Sequence, residues 1–153
     1  MATGKFDFSD LIALEKAVTQ FQSRTDEFID ACAKELAARL LTKVIKRTPV
    51  GIYPSSTGKV GGTLRRGWTG EKQGSGAAYA NSLQVKHFGG NYVIEIVNPV
   101  EYASYVEFGH RTSNHKGWVK GRFMLTISEK EIQDAAPRII ENKLKKILGD
   151  VFK

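Results

Sequence analysis

Two imidazoles and a carboxylate stand close together in the stretch Glu107 to His115, as Glu107, His110 and His115. These side-chain types can hold a divalent metal, and a bound metal would make a hydrolase or nuclease. Their spacing matches no compact metal motif, and His110 and His115 lie in a polar, glycine-flanked segment. The alternative is that both histidines are surface loop residues and Glu107 makes a local bond at a helix end. His87 falls elsewhere, on a candidate strand. The single cysteine, Cys32, excludes an intrachain disulfide and a cysteine-based zinc shell, and suits a reducing compartment. It lies between Ile29 and Ala33 on a helical apolar face, where it reads as a buried thiol rather than a nucleophile. The chain spells no Gly-x-x-x-x-Gly-Lys-Ser/Thr phosphate loop, no His-Glu-x-x-His and no Gly-x-Ser-x-Gly. The expectation is a protein without enzymatic activity, cofactor or metal.

The second candidate chemistry is cationic. Lys59, Arg65, Arg66 and Lys72 form one set, and Arg111, Lys116, Lys120 and Arg122 another, with Tyr53, Trp68 and Trp118 among them. Cations with aromatics can grip nucleic acid through phosphates and stacked bases. They can equally dock on an acidic protein surface, or serve solubility alone. No helix-turn-helix, zinc finger or aromatic RNA-binding strand is spelled out, so sequence-specific reading is not expected. The formal charge is +7, from 23 basic and 16 acidic residues. It concentrates in residues 43–72, 109–122 and 138–153, whereas 1–42, 73–108 and 123–137 are slightly acidic.

The elements that must position these groups follow from periodicity. Ser9 can cap a short helix with Leu11, Leu14, Val18 and Phe21 on one face. Thr25 can cap a long helix over 26–47, where Ile29, Ala33, Leu36, Ala37, Leu40 and Val44 repeat at helical spacing until Pro49 ends it. Residues 48–63 read as a long loop. Thr63–Trp68, Ser82–Phe88 and Asn91–Asn98 read as strands, the last two joined by a Gly89-Gly90 hairpin. In the third, Tyr92, Ile94 and Ile96 should face one side. Residues 102–108 read as a short helix stopped by Gly109, with Tyr102, Tyr105 and Val106 on one side, and 109–121 as an exposed basic loop. From Arg122 the pattern is helical, with Ser128-Glu129-Lys130-Glu131 spelling a capping box. Ile140, Leu144, Ile147, Leu148 and Val151 form an apolar stripe, and Pro137 should kink the helix or start a new one.

A chain of 153 residues suits one domain, and its 41% hydrophobic content suits a packed core. The N-terminus has no apolar core of a secretory signal, and no stretch is long and apolar enough to span a membrane. The expected fold is α+β. N-terminal helices, one of them long, and a C-terminal helix pack on a small antiparallel β-sheet, with long basic loops.

Three stretches carry a resemblance. Thr48-Pro49-Val50 follows the long helix, and Gly62-Thr63-Leu64-Arg65-Arg66-Gly67-Trp68 follows the loop. The strongest is Val97-Asn98-Pro99-Val100-Glu101-Tyr102-Ala103-Ser104-Tyr105-Val106-Glu107-Phe108-Gly109-His110. Together with Gly117-Trp118-Val119 and Gly121-Arg122-Phe123-Met124, they resemble the neck, or tail-completion, family of tailed bacteriophages, of the contractile-tail type. The resemblance spans about residues 26–150. Gly51 stands where the simple family pattern has aspartate, and about ten extra residues precede Leu64.

The resemblance implies a structural virion protein of the neck or tail top. It would form a ring, six-fold or twelve-fold, that joins the tail to the head connector around the DNA channel. Residues 1–25 would be an N-terminal helical extension and 26–153 the neck/tail-completion domain. Implied partners are further copies of the chain, the head connector or head-closure protein, tail terminator, tube or sheath proteins, and double-stranded DNA in transit. The implied location is the virion, with the host cytoplasm during assembly. On this reading the eight cations above face DNA or dock on partners. Pro49, Leu64, Trp68, Asn98, Tyr102, Ala103, Tyr105, Val106, Glu107, Phe108, Gly109 and Trp118 shape the fold or the contacts between subunits. The competing reading is a stand-alone, non-specific nucleic-acid-binding protein.

Overall fold

The computed structural model describes residues 7–70 and 74–151, and Lys72 lies outside them. Two helices make the frame: α2 (Thr25–Arg47) and the C-terminal α6 (Met124–Val151). They run antiparallel, because bonds near the end of α2 meet the start of α6 and a bond at its middle meets the later half of α6. Arg47 donates to Ser128 Oγ at 2.6 Å and to Glu131 at 2.7 Å, and Lys43 reaches Glu131 at 2.7 Å. Two turns further back, Lys143 pairs with Glu35 at 2.8 Å. These pairs hold the carboxyls of Glu35 and Glu131 below the ordinary value of 4.5, chiefly through their hydrogen bonds to the lysines.

The core lies on one face of α2. Leu41 and Val44 are fully buried, with Ala37, Leu64, Trp68, Ala80 and Met124 packed around them. Burying a side chain such as Leu41 contributes about 1.5–3 kcal/mol. The small residues Gly76 and Ala80 bring α4 (Gly76–Ser82) against α2, and the Ser75 hydroxyl caps α4 by accepting from Ala78 N. Cys32 is buried on α2, and burial pushes its thiol pKa up.

The hairpin of β1 (Val85–Phe88) and β2 (Asn91–Ile94) pairs Val85 with Ile94 across a turn whose glycines have φ of 50° and 85°. Those angles are what a two-residue hairpin turn requires. The hairpin leans on α2 through His87 to Asp30 and Tyr92 to Asp26. Ladder pairing stops at Ile94, yet the alternation continues: Tyr92, Ile94, Ile96 and Asn98 are half-buried, and Val93, Glu95 and Val97 are exposed.

The α+β architecture holds, with several corrections to its parts. Thr63–Gly67 is a helix, α3, rather than a strand, so the described residues form two separate two-stranded sheets instead of one of three strands. Helical spacing puts Leu64 and Trp68 on the same inner face, both buried. The segment 109–121 is a second hairpin, β3 (Gly109–Arg111) with β4 (Trp118–Lys120), rather than a loop. Ser128 does not start a helix. It lies in the second turn of α6, donating to Met124 O at 2.6 Å. A single helix runs through Pro137, since Pro137 and Gln133 are exposed and water can serve the carbonyl left unpaired. Thr25 does not cap α2. Its hydroxyl donates back to Phe21 O and Gln22 O, closing α1 (Ser9–Ser23). Ser9 is likewise the first residue inside α1, and the N-cap is Phe8. In α1 only Ala17 is buried, and Leu11, Leu14 and Val18 stay exposed.

Candidate functional site: α5 and the β3–β4 hairpin

The helix α5 (Ala103–Phe108) has two faces. Ala103 and Val106 pack on the core and Glu107 is buried. Tyr102, Tyr105 and Phe108 point outward, at 44%, 57% and 60% exposure. Tyr102 and Val106, one turn apart, line the same cleft with Pro49 and Val50, whereas Tyr105 turns toward His110 and does not share that side.

Glu107 does the positioning. The first turn of an α-helix leaves its N–H groups without partners. At the start of α6 the preceding residue is Phe123, which has no side-chain oxygen and sits at φ 48°. The Glu107 carboxylate fills that role from another element. One oxygen accepts from Leu125 N at 2.9 Å, and the other from Thr126 N at 2.9 Å and Thr126 Oγ1 at 2.7 Å. A negative charge at this end also complements the helix dipole. Backbone bonds complete the joint: Arg122 N donates to Val106 O at 2.8 Å and Phe123 N to Glu107 O at 3.0 Å. With both oxygens committed to α6, Glu107 is not offered to His110 and His115. Among the described residues no cluster of three His, Cys, Asp or Glu is placed to hold a metal.

Gly109 sits where α5 passes into β3, at φ 86°, and a Cβ there would collide with Val119 O. Only glycine fits a left-handed position pressed against a partner strand. The hairpin tip is tied internally. Thr112 N donates to Gly117 O at 3.0 Å, Gly117 N to Thr112 Oγ1 at 3.0 Å, and Lys116 N to Asn114 Oδ1 at 3.1 Å. His115 takes φ 56° in this tip, while the half-buried His110 lies 5.8 Å from the Tyr105 ring, its Nδ1 without a partner among the described residues.

A second knot joins the other motif residues. Thr48 Oγ1 donates to Val44 O at 2.6 Å and accepts from Trp68 Nε1 at 2.8 Å. Arg65 closes the C-terminus of α2 with two bonds to Thr48 O, at 3.2 and 2.7 Å. Asn98 Nδ2 donates to Leu64 O at 2.8 Å, and a Cβ on Gly67 would collide with Asn98 Oδ1. Pro49 lies exposed just outside this knot. The motif residues Thr48, Leu64, Arg65, Gly67, Trp68 and Asn98 thus form one bonded unit in which Arg65 is engaged by the fold.

The remaining cations separate by element. Arg66 bonds Gly61 O and Thr63 Oγ1, and Lys59 lies 5.9 Å from the Tyr53 ring centre. Arg111, Lys116, Lys120 and Arg122 are exposed on and beside the second hairpin, and none forms an ion pair among the described residues. Trp118, 62% exposed, stands among them with Val119. Sequence reasoning missed Val119 and Phe123 as exposed apolar neighbours of this set. No periodic signal marked them, because β4 is exposed along its whole length. Sequence reasoning also missed Thr48 and Thr126 as bond partners, visible only once the chain is folded.

No helix among the described residues is long and apolar enough to cross a membrane. Residues 12–109 match the family described as "Bacteriophage HK97-gp10, putative tail-component", a span that starts inside α1 and ends at Gly109 after the Tyr-Ala-Ser-Tyr-Val-Glu-Phe stretch. No curated protein and no solved structure matches the chain.

Proposed function

Because this chain belongs to the HK97-gp10-like family of bacteriophage tail components, we propose that it forms a ring at the tail top that joins tail to head connector around the DNA passage. As a structural tail component it is a virion protein; the ring, its position and its partners are the reading proposed here. The observation that carries it is the surface built by α5 and the β3–β4 hairpin. Exposed aromatics with unpaired cations, held on a rigid joint, are the composition of a protein contact. On this reading residues 26–153 are the wedge of the ring and residues 1–25 a helical extension. Lys59 and Arg66 face the DNA passage. Arg65 contributes through the fold, because its guanidinium is bonded to Thr48. Weak phosphate contacts without base reading suit a molecule that must slide through.

The test is head–tail joining in an extract containing heads and tails but lacking this protein. Adding the purified chain should yield joined particles with an annulus at the tail top by electron microscopy. Heads and tails that join equally well without it would refute the reading. The unpaired hairpin cations also favour stand-alone DNA binding. That function would show as tight duplex binding, with a logarithmic salt slope of about −0.9 per phosphate neutralised.

A further inference from the structure

The two ends of the α2–α6 frame carry exposed apolar surface, and they carry opposite charge. The antiparallel pairing of the frame puts α1 beside the start of α2 and the end of α6. There a cleft of about 600 Å³ opens, lined by Phe21, Phe28, Ala31 and Ile147 with the Arg24–Glu27 ion pair at its rim. The second hairpin sits at the opposite end, where α2 finishes and α6 starts. With 23 residues in α2, the ends are about 35 Å apart at 1.5 Å per residue. One molecule cannot bring them together.

Their chemistry is complementary. At the cleft end, residues 7–31 carry six acids against Lys16 and Arg24, and residues 141–151 of α6 add Lys143, Lys145 and Lys146 against Glu141 and Asp150, so this end keeps a net charge of −3 beside the exposed Leu11, Leu14 and Val18. Residues 109–122 carry four cations and no acid. Exposed apolar patches on a monomer mark contact sites, and tryptophan is enriched among the residues that anchor such contacts in pockets.

We infer that Trp118 of one subunit seats in the α1–α2–α6 cleft of the next copy, with Lys120 and Arg122 facing that copy's acidic α1. The contact is heterologous, so repeating it builds a closed ring when the rotation closes. The inference deepens the ring reading and rests on it.

Disulfide trapping tests it. Ser23→Cys chains and Val119→Cys chains are mixed at equal, high concentration and oxidised; both positions are exposed, so folding is unaffected. The mixed pair should exceed either like pair several-fold, and Trp118→Ala in the Val119→Cys chain should cut it about tenfold. A mixed pair no more abundant than the like pairs, or trapping indifferent to Trp118→Ala, overturns the inference. The two readings fail separately. Annuli at tail tops that persist with Trp118→Ala remove this contact and leave the ring. Strong mixed trapping, with heads and tails that join without the protein, keeps the contact and removes the tail-top role.

Discussion

Replacing Glu107 by alanine isolates the joint between α5 and α6. The change removes three hydrogen bonds to a carboxylate, at 2.9, 2.9 and 2.7 Å, and leaves the Leu125 and Thr126 N–H groups in a half-buried site without an acceptor. A lost helix cap costs about 0.5–2 kcal/mol, and hydrogen bonds to charged groups contribute about 1.5–3 kcal/mol each, though not additively. Water entering the vacated space recovers part. The expected loss is about 2–4 kcal/mol, combining cap, charge and unmet donors. At about 2–4 °C per kcal/mol for a domain of this size, the unfolding midpoint should fall by roughly 9 °C. Glu107→Gln should fall between the two, since its amide oxygen can still accept from Thr126 while its NH₂ opposes Leu125 N–H. Calorimetry reads the midpoint, and hydrogen exchange reads the Leu125 and Thr126 amides, which should exchange faster in the alanine variant. An alanine variant within about 0.5 kcal/mol of the parent, with those amides still protected, would refute the capping role.

Four further perturbations address other parts. Trp68→Phe should cost about 1–1.5 kcal/mol by urea unfolding, because it removes the Nε1 bond to Thr48 while keeping an aromatic ring in the core. Acrylamide should quench Trp118 and spare Trp68, so Trp118→Phe should remove the quenchable component and leave the unfolding midpoint unchanged. Gly109→Ala should destabilise by more than about 1 kcal/mol through the left-handed φ and the collision with Val119 O, seen as a lowered midpoint and lost β3–β4 amide protection. On acidification, Glu35 and Glu131 have folded-state pKa values below the ordinary 4.5. Their stabilisation is full above about 4.5 and is lost as pH falls through the lower folded values, so Glu131→Gln should flatten the fall in midpoint below pH 4.5.

What was legible in the sequence depended on how local the determinant was. The long apolar repeat of α2, the Gly89-Gly90 turn and the alternation from Tyr92 to Ile96 are set by residues near in sequence, and the chain follows them. The helix α3 was misread as a strand because five residues show too little period. The Leu64 and Trp68 spacing was the available clue. The helix α4 went unseen, since Gly-Ala-Ala-Tyr-Ala-Asn-Ser has little apolar periodicity and is small in order to fit α2. The helical pattern from Arg122 is close to the observed start of α6, but its cap is not legible there: the capping-box spelling at Ser128 lies inside the helix, and the true cap, Glu107, is 17 residues before Met124 and reaches it only through the fold. At the candidate site, the signature residues were visible as a group. Their division into an inner Ala103, Val106, Glu107 set and an outer Tyr102, Tyr105, Phe108 set needed the neighbours.

The α2–α6 pairing has a consequence for how the molecule is made. Its bonds join residues separated by 81 to 108 positions, from Arg47 to Ser128 and from Glu35 to Lys143. At about 5–20 residues per second, a ribosome delivers α6 roughly 4–20 s after its partner. Until then Leu41 and Val44 lack Met124, and α5 has no helix end to hold. The aromatic surface is therefore fixed only once the last helix arrives.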